Sequence, residues 1–177
     1  NVNAFISIYL GGYIVIGGKQ KSLDFLLKEL PSEDKYPFQI PYHSAFHTPL
    51  LDHIRPLAES SFKNISFDKP TIPLVDGRGH IWTPWSASIY ELYDYTLNYQ
   101  VTKTYDFSSS VIVALKEFSP DNIILLGPGN SLGGPVAQVI IDHSWNDLNS
   151  KEEFIESQNK DPFLISMGLE EQRNIVL

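Results

Sequence analysis

The sequence predicts an α/β protein, because short β-branched or aromatic segments alternate with segments whose apolar residues recur at helical spacing. The clearest strand is Asn122–Leu126, an apolar run of the kind buried in a parallel sheet. The chain has 177 residues, a length that allows one domain, if necessary with two lobes. With 42% apolar and 19% charged residues, its composition is that of a globular chain.

The first forty or so residues predict a strand–helix–strand unit. Strands are expected over Ala4–Leu10 and Tyr13–Ile16, separated by the turn signal Gly11–Gly12. Leucines at helical spacing predict a helix over Ser22–Leu30, and Tyr36–Tyr42 can form another strand. This order is similar to half or more of a ferredoxin-like unit.

The rest of the chain continues the alternation. The same patterns predict a strand before the Asp76–Gly77 turn and the apolar strand described above. One predicted helix starts near Pro56 and has Ile54, Leu57, Ala58 and Phe62 on one face. The other predicted helices are Ser88–Leu97, Ser109–Glu117, Leu132–Ile141 and Lys151–Ser157.

Charge and cysteine content exclude several classes of function. Thirteen basic against 21 acidic residues give a formal net charge of −8, which argues against a nucleic-acid partner. The absence of cysteine excludes a disulfide framework, a cysteine-ligated zinc and a cysteine nucleophile in this chain. The longest apolar run, Phe5–Ile16, is interrupted by glycines and is shorter than the roughly 18 residues of a membrane helix. A cytoplasmic protein without a membrane partner is therefore expected.

Three histidines lie near one another in the sequence, at His43, His47 and His53. Their spacing fits no familiar zinc pattern, and no cysteine or acidic partner completes one, so no metal site is expected. His47 lies at a predicted strand-to-helix junction, where catalytic residues concentrate. An imidazole there suits a general base. On the residues alone, a surface or capping histidine is the favoured interpretation.

A second candidate is Ser131, because Gly129–Gly133 matches the G-x-S-x-G nucleophile elbow. The intervening Gly127–Pro128 lengthens the loop after the strand, which weakens the match. Ser131 is therefore predicted to be the N-cap of the following helix. A nucleophile and a phosphate-binding loop are the alternatives.

Several motifs occur together in a characteristic order. They are Tyr13–Gly18 (Y-I-V-I-G-G), Ser44–Leu51 (S-A-F-H-T-P-L-L), Thr71–Gly77, Gln100 ahead of Phe107, and Leu126–Leu132 (L-G-P-G-N-S-L). Over about residues 5–141 the chain thereby resembles the C-terminal half of malonyl-CoA:acyl carrier protein transacylases and of polyketide-synthase acyltransferase domains. Tyr9 and Phe107 depart from the family, which commonly has Asn and Trp at these positions.

The resemblance implies a domain organisation. Residues 1–45 would form a ferredoxin-like small lobe, residues 46–145 the C-terminal part of an α/β-hydrolase-like acyltransferase large lobe, and residues 146–177 an acidic extension. In family members the G-H-S-x-G serine, the carboxylate-binding arginine and the oxyanion loop precede the small lobe. The N-terminal half of the enzyme is therefore expected to be missing here, and the chain to be inactive alone.

The resemblance also implies roles for three residues. His47 would take the proton from the serine nucleophile, and Gln100 would hold the imidazole through its main-chain carbonyl. Phe46 matches the aromatic residue that goes with malonyl rather than methylmalonyl units. The implied reaction moves a malonyl group from coenzyme A to an acyl carrier protein thiol, with the coenzyme A thioester as substrate and no cofactor. The implied partners are malonyl-CoA, the carrier protein and the missing half.

Three other functions remain open. The first is an acyl hydrolase on the same fold, and the second is a serine esterase that uses Ser131 with His47 or His143. The third is a non-catalytic module that docks a carrier protein. Because carrier proteins are usually acidic, such docking needs a local basic patch. Its candidate residues are Lys19, Lys21, Lys63, Lys69 and Arg78.

Overall fold

The computed structural model describes residues 3–176 and confirms the predicted α/β class. The strands are β1 (Ala4–Leu10), β2 (Tyr13–Gly18), β3 (Leu74–Val75), β4 (Ile81–Trp82), β5 (Tyr105–Asp106), β6 (Ile123–Leu125) and β7 (Leu164–Ser166). The α-helices are α1 (Gln20–Glu29), α2 (Arg55–Phe62), α3 (Ile89–Asp94), α4 (Gln100–Thr102), α5 (Phe107–Phe118), α6 (Gly133–Asp142), α7 (Lys151–Lys160) and α8 (Glu170–Arg173). Short 3₁₀ segments cover Pro49–Ile54 and Trp145–Asp147, and a π-helical turn covers Tyr95–Tyr99.

The chain divides into two compact units. The first unit contains the residues up to Tyr9, Ile14–Leu74 and Ile81–Tyr105. The second contains Leu10–Tyr13, Val75–His80 and the chain from Asp106 onward. The three-part division at residues 45 and 145 stays a prediction. No helix among residues 3–176 combines the length and the apolar character that crossing a bilayer requires.

The hairpin of β1 and β2 is confirmed, and it belongs to a sheet with the order β2-β1-β5. Gly11 and Gly12 at its turn have φ values of 45° and 78°. Positive φ at both central residues is what a type I′ hairpin turn requires, and glycine adopts it without steric cost.

The strand predicted at Tyr36–Tyr42 is wrong. These residues form turns and irregular backbone, with one isolated bridge between Glu33 and Tyr36. Pro37 and Pro41 lie inside the segment, and proline has no N–H to donate to a sheet ladder. The third strand of the sheet is the later β5.

The second unit has its core between α5, α6 and the parallel pair β6–β7. On α6 the buried residues Pro135, Val136, Val139 and Ile140 fall on one face, as the apolar pattern predicts. In the sheet, Ile124 lies opposite Ile165. The buried members of this core are Leu115, Val136, Val139, Ile140, Leu148 and Leu164.

The two edges of the β6–β7 sheet differ. On the outer edge of β7, the side chain of Gln158 donates to the carbonyl of Leu164 at 2.8 Å and accepts from its N–H at 3.0 Å. The side chain of Gln172 accepts from the N–H of Ser166 at 2.7 Å. On β6 the main chain of Ile124 points away from β7, toward an edge where no strand of the described residues lies. One edge is thus closed by glutamine side chains, and the other is left open by residues 3–176.

Candidate active site

His47 lies in a turn that is fixed by its neighbours. Its φ of 58° is in the left-handed region, which few non-glycine residues adopt. On one side Thr48, fully buried, donates from Oγ1 to the carbonyl of Ala45 at 2.7 Å. On the other side Ser7 donates from Oγ to the carbonyl of Phe46 at 2.8 Å. An unusual backbone conformation held by such contacts is a feature of functional turns.

Gly17 on β2 gives this turn its place against the strand. A Cβ on Gly17 would lie 2.9 Å from Cγ2 of Thr48 and 3.2 Å from Cβ of Ala45. Real side chains do not approach so closely, so only glycine permits this packing. The sequence predicted a strand that stops at Ile16, whereas Gly17 and Gly18 also belong to β2.

The imidazole of His47 is oriented by a main-chain carbonyl. Nδ1 is hydrogen-bonded to the carbonyl oxygen of Gln100, and the N–H of His47 donates to the carbonyl of Val101 at 2.8 Å. Because a carbonyl oxygen only accepts, the proton of the neutral ring lies on Nδ1 and the lone pair on Nε2. No residue between 3 and 176 forms a hydrogen bond with Nε2. The structure therefore brings together His47 and the Gln100 carbonyl, as the resemblance implied.

The two carbonyls are available because a helix ends beside the histidine. α4 stops at Thr102, and the extended backbone of Lys103 follows it (φ −121°, ψ 149°). The N–H of Lys103 still donates to the carbonyl of Tyr99 at 2.9 Å, but the next two carbonyls lie past the last helical N–H.

Two aromatic rings flank the imidazole. The centroid of the Tyr105 ring lies 5.3 Å from that of His47, with the planes inclined at 49°. The Phe46 ring lies at 6.4 Å and is 48% exposed. His47 itself is half-buried, so its ring has apolar surroundings on two sides and is still accessible.

Ser131 has a different position from the one predicted. α6 begins at Gly133 with Leu132 as its N-cap, and no side chain caps it. The N-cap prediction for Ser131 is therefore wrong, because the helix starts one residue too late for its hydroxyl to reach the first-turn amides. His143 is the C-cap of the same ten-residue helix, about 15 Å away at 1.5 Å per residue. That separation excludes a Ser131–His143 pair.

The loop that precedes α6 packs through its main chain. A Cβ on Gly168, which follows β7, would lie 2.1 Å from the carbonyl oxygen of Gly129. Gly127 and Gly129 both have positive φ, at 92° and 74°. The positive φ values account for glycine at positions 127 and 129, whereas the close approach of the loop carbonyl requires glycine at position 168.

A buried carboxylate, that of Asp76, organises the Asp76–Gly79 turn. Asp76 accepts hydrogen bonds from the main-chain N–H groups of Arg78 and His80 at 2.9 and 3.1 Å, and from the Arg78 guanidinium at 2.6 Å. Burial by itself raises the pKa of Asp76, but these hydrogen bonds, led by the Arg78 side chain, hold the pKa below its ordinary value. The Asp-Gly pair is a turn signal in the sequence, but nothing there indicates the ion pair.

No group of three or more His, Asp or Glu side chains among residues 3–176 lies close enough together to hold a metal ion. The candidate site therefore consists of His47, the Gln100 and Val101 carbonyls and the two flanking rings.

Comparison with solved structures decides the fold. The malonyl-CoA:ACP transacylase of Synechocystis sp. PCC 6803 matches 99% of this chain with a TM-score of 0.69 at 15% sequence identity. The chain has the malonyl-CoA:ACP transacylase fold. The acyl-carrier-protein-S-malonyltransferase of Bartonella henselae matches 89% of the chain, with a TM-score of 0.62 and 17% identity. No family model and no curated protein sequence matches the chain.

The chain spans about half of each transacylase, 52% of the first and 49% of the second. The fold implied by the sequence motifs is thereby confirmed. The roles of His47, Gln100 and Phe46 remain predictions, and they are taken up below.

Proposed function

We propose that this chain supplies the general base of an acyl carrier protein S-malonyltransferase. The observation that carries the proposal is the imidazole of His47, whose Nδ1 is bound to the Gln100 carbonyl and whose Nε2 is left to accept a proton. One structural neighbour is named as a malonyl-CoA:ACP transacylase, and the other is named as an acyl-carrier-protein-S-malonyltransferase. Their names supply the substrates of the proposal.

The proposed reaction has two halves with one histidine. Nε2 takes the proton from a serine hydroxyl while the serine oxygen attacks the thioester carbon of malonyl-CoA, and the proton then passes to the departing coenzyme A sulfur. In the second half, Nε2 takes the proton of the carrier-protein thiol as its sulfur attacks the acyl-serine ester. The serine oxygen leaves and recovers that proton. The Gln100 carbonyl stabilises the imidazolium formed in each half.

The serine is proposed to come from polypeptide outside these 177 residues. Ser131 is the only serine in a G-x-S-x-G sequence here, and it lies at the opposite end of α6 from His143. The family pattern predicts G-H-S-x-G upstream of Asn1, together with an arginine for the malonyl carboxylate. Determining the coding sequence upstream of Asn1 tests this directly. An upstream reading frame that ends at a stop codon before it encodes either the G-H-S-x-G motif or the arginine would remove the proposed nucleophile.

The proposed base is tested by substitution in the protein made from the complete reading frame. His47→Ala is expected to lower kcat/KM for malonyl transfer to holo acyl carrier protein by roughly 10²–10⁴-fold, the usual contribution of a general base. Gln100→Ala should retain most activity, because the main chain makes the contact. Transfer is measured by mass spectrometry of the carrier protein.

His53→Ala is the matched control, since Nδ1 of this exposed histidine also contacts a carbonyl, that of Leu50, at 2.9 Å. Full activity of His47→Ala would contradict the proposal. Loss of activity in Ser131→Ala would favour the esterase, and hydrolysis without transfer would assign an acyl hydrolase.

A further inference from the structure

The helix that presents the two carbonyls to His47 contains a π-turn. At Gln100 the N–H donates to the carbonyl of Tyr95, five residues back, whereas at Lys103 the N–H again donates to the residue four back. A π-turn inserts one residue into an α-helix, so everything after it is rotated by about 100° relative to an uninterrupted helix. The turn at Tyr95–Tyr99 therefore sets the side on which the Gln100 and Val101 carbonyls can be approached.

One buried hydrogen bond joins the π-turn to the last turn of the helix. Thr102 donates from Oγ1 to the carbonyl of Asn98 at 3.0 Å. Thr102 is 1% exposed and Asn98 is 6% exposed, so water does not compete for this bond. The Asn98 side chain is held in turn, because Nδ2 donates to Asp94 at 2.7 Å and Oδ1 accepts from Arg55 at 3.4 Å.

Valine has the same size as threonine and would fill the buried position 102 without a polar group that needs a partner. Packing alone therefore does not require a hydroxyl at Thr102. Thr102 follows Gln100 and Val101 directly and ends the helix. Its hydroxyl therefore ties the carbonyl-bearing turn to the π-turn from the buried side, while His47 contacts the same turn through its carbonyls.

We propose that Thr102 is a positioning residue for the proposed base, and that its bond to Asn98 holds the helix end so that His47 is fixed in one tautomer. For catalysis this rests on the proposed function, but the tautomer is a property of the 177-residue chain alone. With the bond in place, the Gln100 carbonyl meets Nδ1 while the Val101 carbonyl meets the His47 N–H. Without it, the last turn loosens, and the ring exchanges between its Nδ1–H and Nε2–H forms.

The test is ¹⁵N NMR of the histidine side chains in the 177-residue chain at about pH 8.5, where imidazoles are ordinarily neutral. Wild-type His47 should give well-separated Nδ1 and Nε2 shifts of a single Nδ1–H tautomer. In Thr102→Val the two shifts should move toward each other, because the tautomers exchange. Thr102→Ser keeps the hydroxyl and should restore the separation.

Thr96→Val is the matched control, because Thr96, near the start of the π-turn, makes the same kind of bond at 2.8 Å, but back to the carbonyl of Leu92 in α3 and not to the last turn of the helix. It should leave the His47 shifts unchanged. Should Thr102→Val not fold, Thr102→Cys keeps the size with a weaker donor. The proposal is overturned if His47 keeps a single tautomer in the valine or cysteine variant of Thr102. It is also overturned if the His47 ¹⁵N shifts change as much in Thr96→Val as in Thr102→Val. Neither result bears on the proposed reaction.

Discussion

Gly17→Ala tests whether the close contact of β2 with the His47 turn depends on a missing side chain. The added Cβ would lie 2.9 Å from Cγ2 of Thr48, about 0.6–1.1 Å inside an ordinary carbon–carbon contact. Thr48 is fully buried and is bound to Ala45, so it cannot turn away without losing that bond. Because Thr48 cannot yield, we expect overpacking at the upper end of about 1–3 kcal/mol. The greater ease of ordering alanine than glycine offsets about 0.5–1 kcal/mol of this, which leaves a net loss of about 2 kcal/mol.

Equilibrium unfolding in urea measures this loss. With an m-value of about 2 kcal/mol/M, a loss of 2 kcal/mol lowers the midpoint by about 1 M. Displacement of the turn should also weaken the His47 contact with Gln100, which the imidazole ¹⁵N shifts report. Gly134→Ala is the control, since a Cβ there meets nothing within 4 Å, and it should be neutral or slightly stabilising. A Gly17→Ala variant within about 0.5 kcal/mol of wild type would refute the argument.

The other two predictions concern a buried carboxylate and an exposed ring. Because hydrogen bonds from Arg78 and His80 hold the pKa of Asp76 low, its contribution to stability is present above about pH 4 and is lost as the pH falls further. Asp76→Asn should lower the free energy of unfolding at pH 7 by about 1–3 kcal/mol and should weaken the fall in stability below about pH 4. Urea unfolding midpoints measured against pH report both effects. A variant with the same fall in stability below about pH 4 as wild type would contradict the prediction. On the proposed function, in which the Phe46 ring beside His47 excludes an α-methyl group, Phe46→Ala should raise methylmalonyl relative to malonyl transfer by about 10-fold or more. Competition between the two thioesters measures the ratio, and an unchanged ratio would exclude Phe46 as the selector.

Local signals predicted the parts of the fold that short segments encode. The β1–β2 hairpin follows from Gly11–Gly12, and the β6–α6 unit follows from an apolar run and a glycine-rich loop. β7 was not predicted, since three residues carry too little pattern and its strand geometry comes from pairing with β6. At Tyr36–Tyr42 aromatic composition favoured a strand, but two prolines removed the donors it needed.

The sequence supplied the candidate residues of the site but not their geometry. The loop position made His47 a candidate, although a surface or capping histidine was favoured on the residues alone, and the family motif implied the roles of His47 and Gln100. The contact to Gln100 depends on a helix that ends at Thr102 after a π-turn, and hydrophobic periodicity does not encode such a one-residue insertion. Likewise, Gly17 carries a packing constraint that exists only once the turn lies against its strand.

The unequal edges of the β6–β7 sheet limit how copies of this chain could associate. An open strand edge is a template for another strand, and Ile124 and Leu126 on this edge are 44% and 82% exposed. Growth of a fibre through strand pairing needs two open edges on each copy, because every molecule must pair with one neighbour on each side. Here Gln158 and Gln172 occupy the second edge, so two copies joined through β6 would form a closed pair. Association through this sheet is therefore self-limiting.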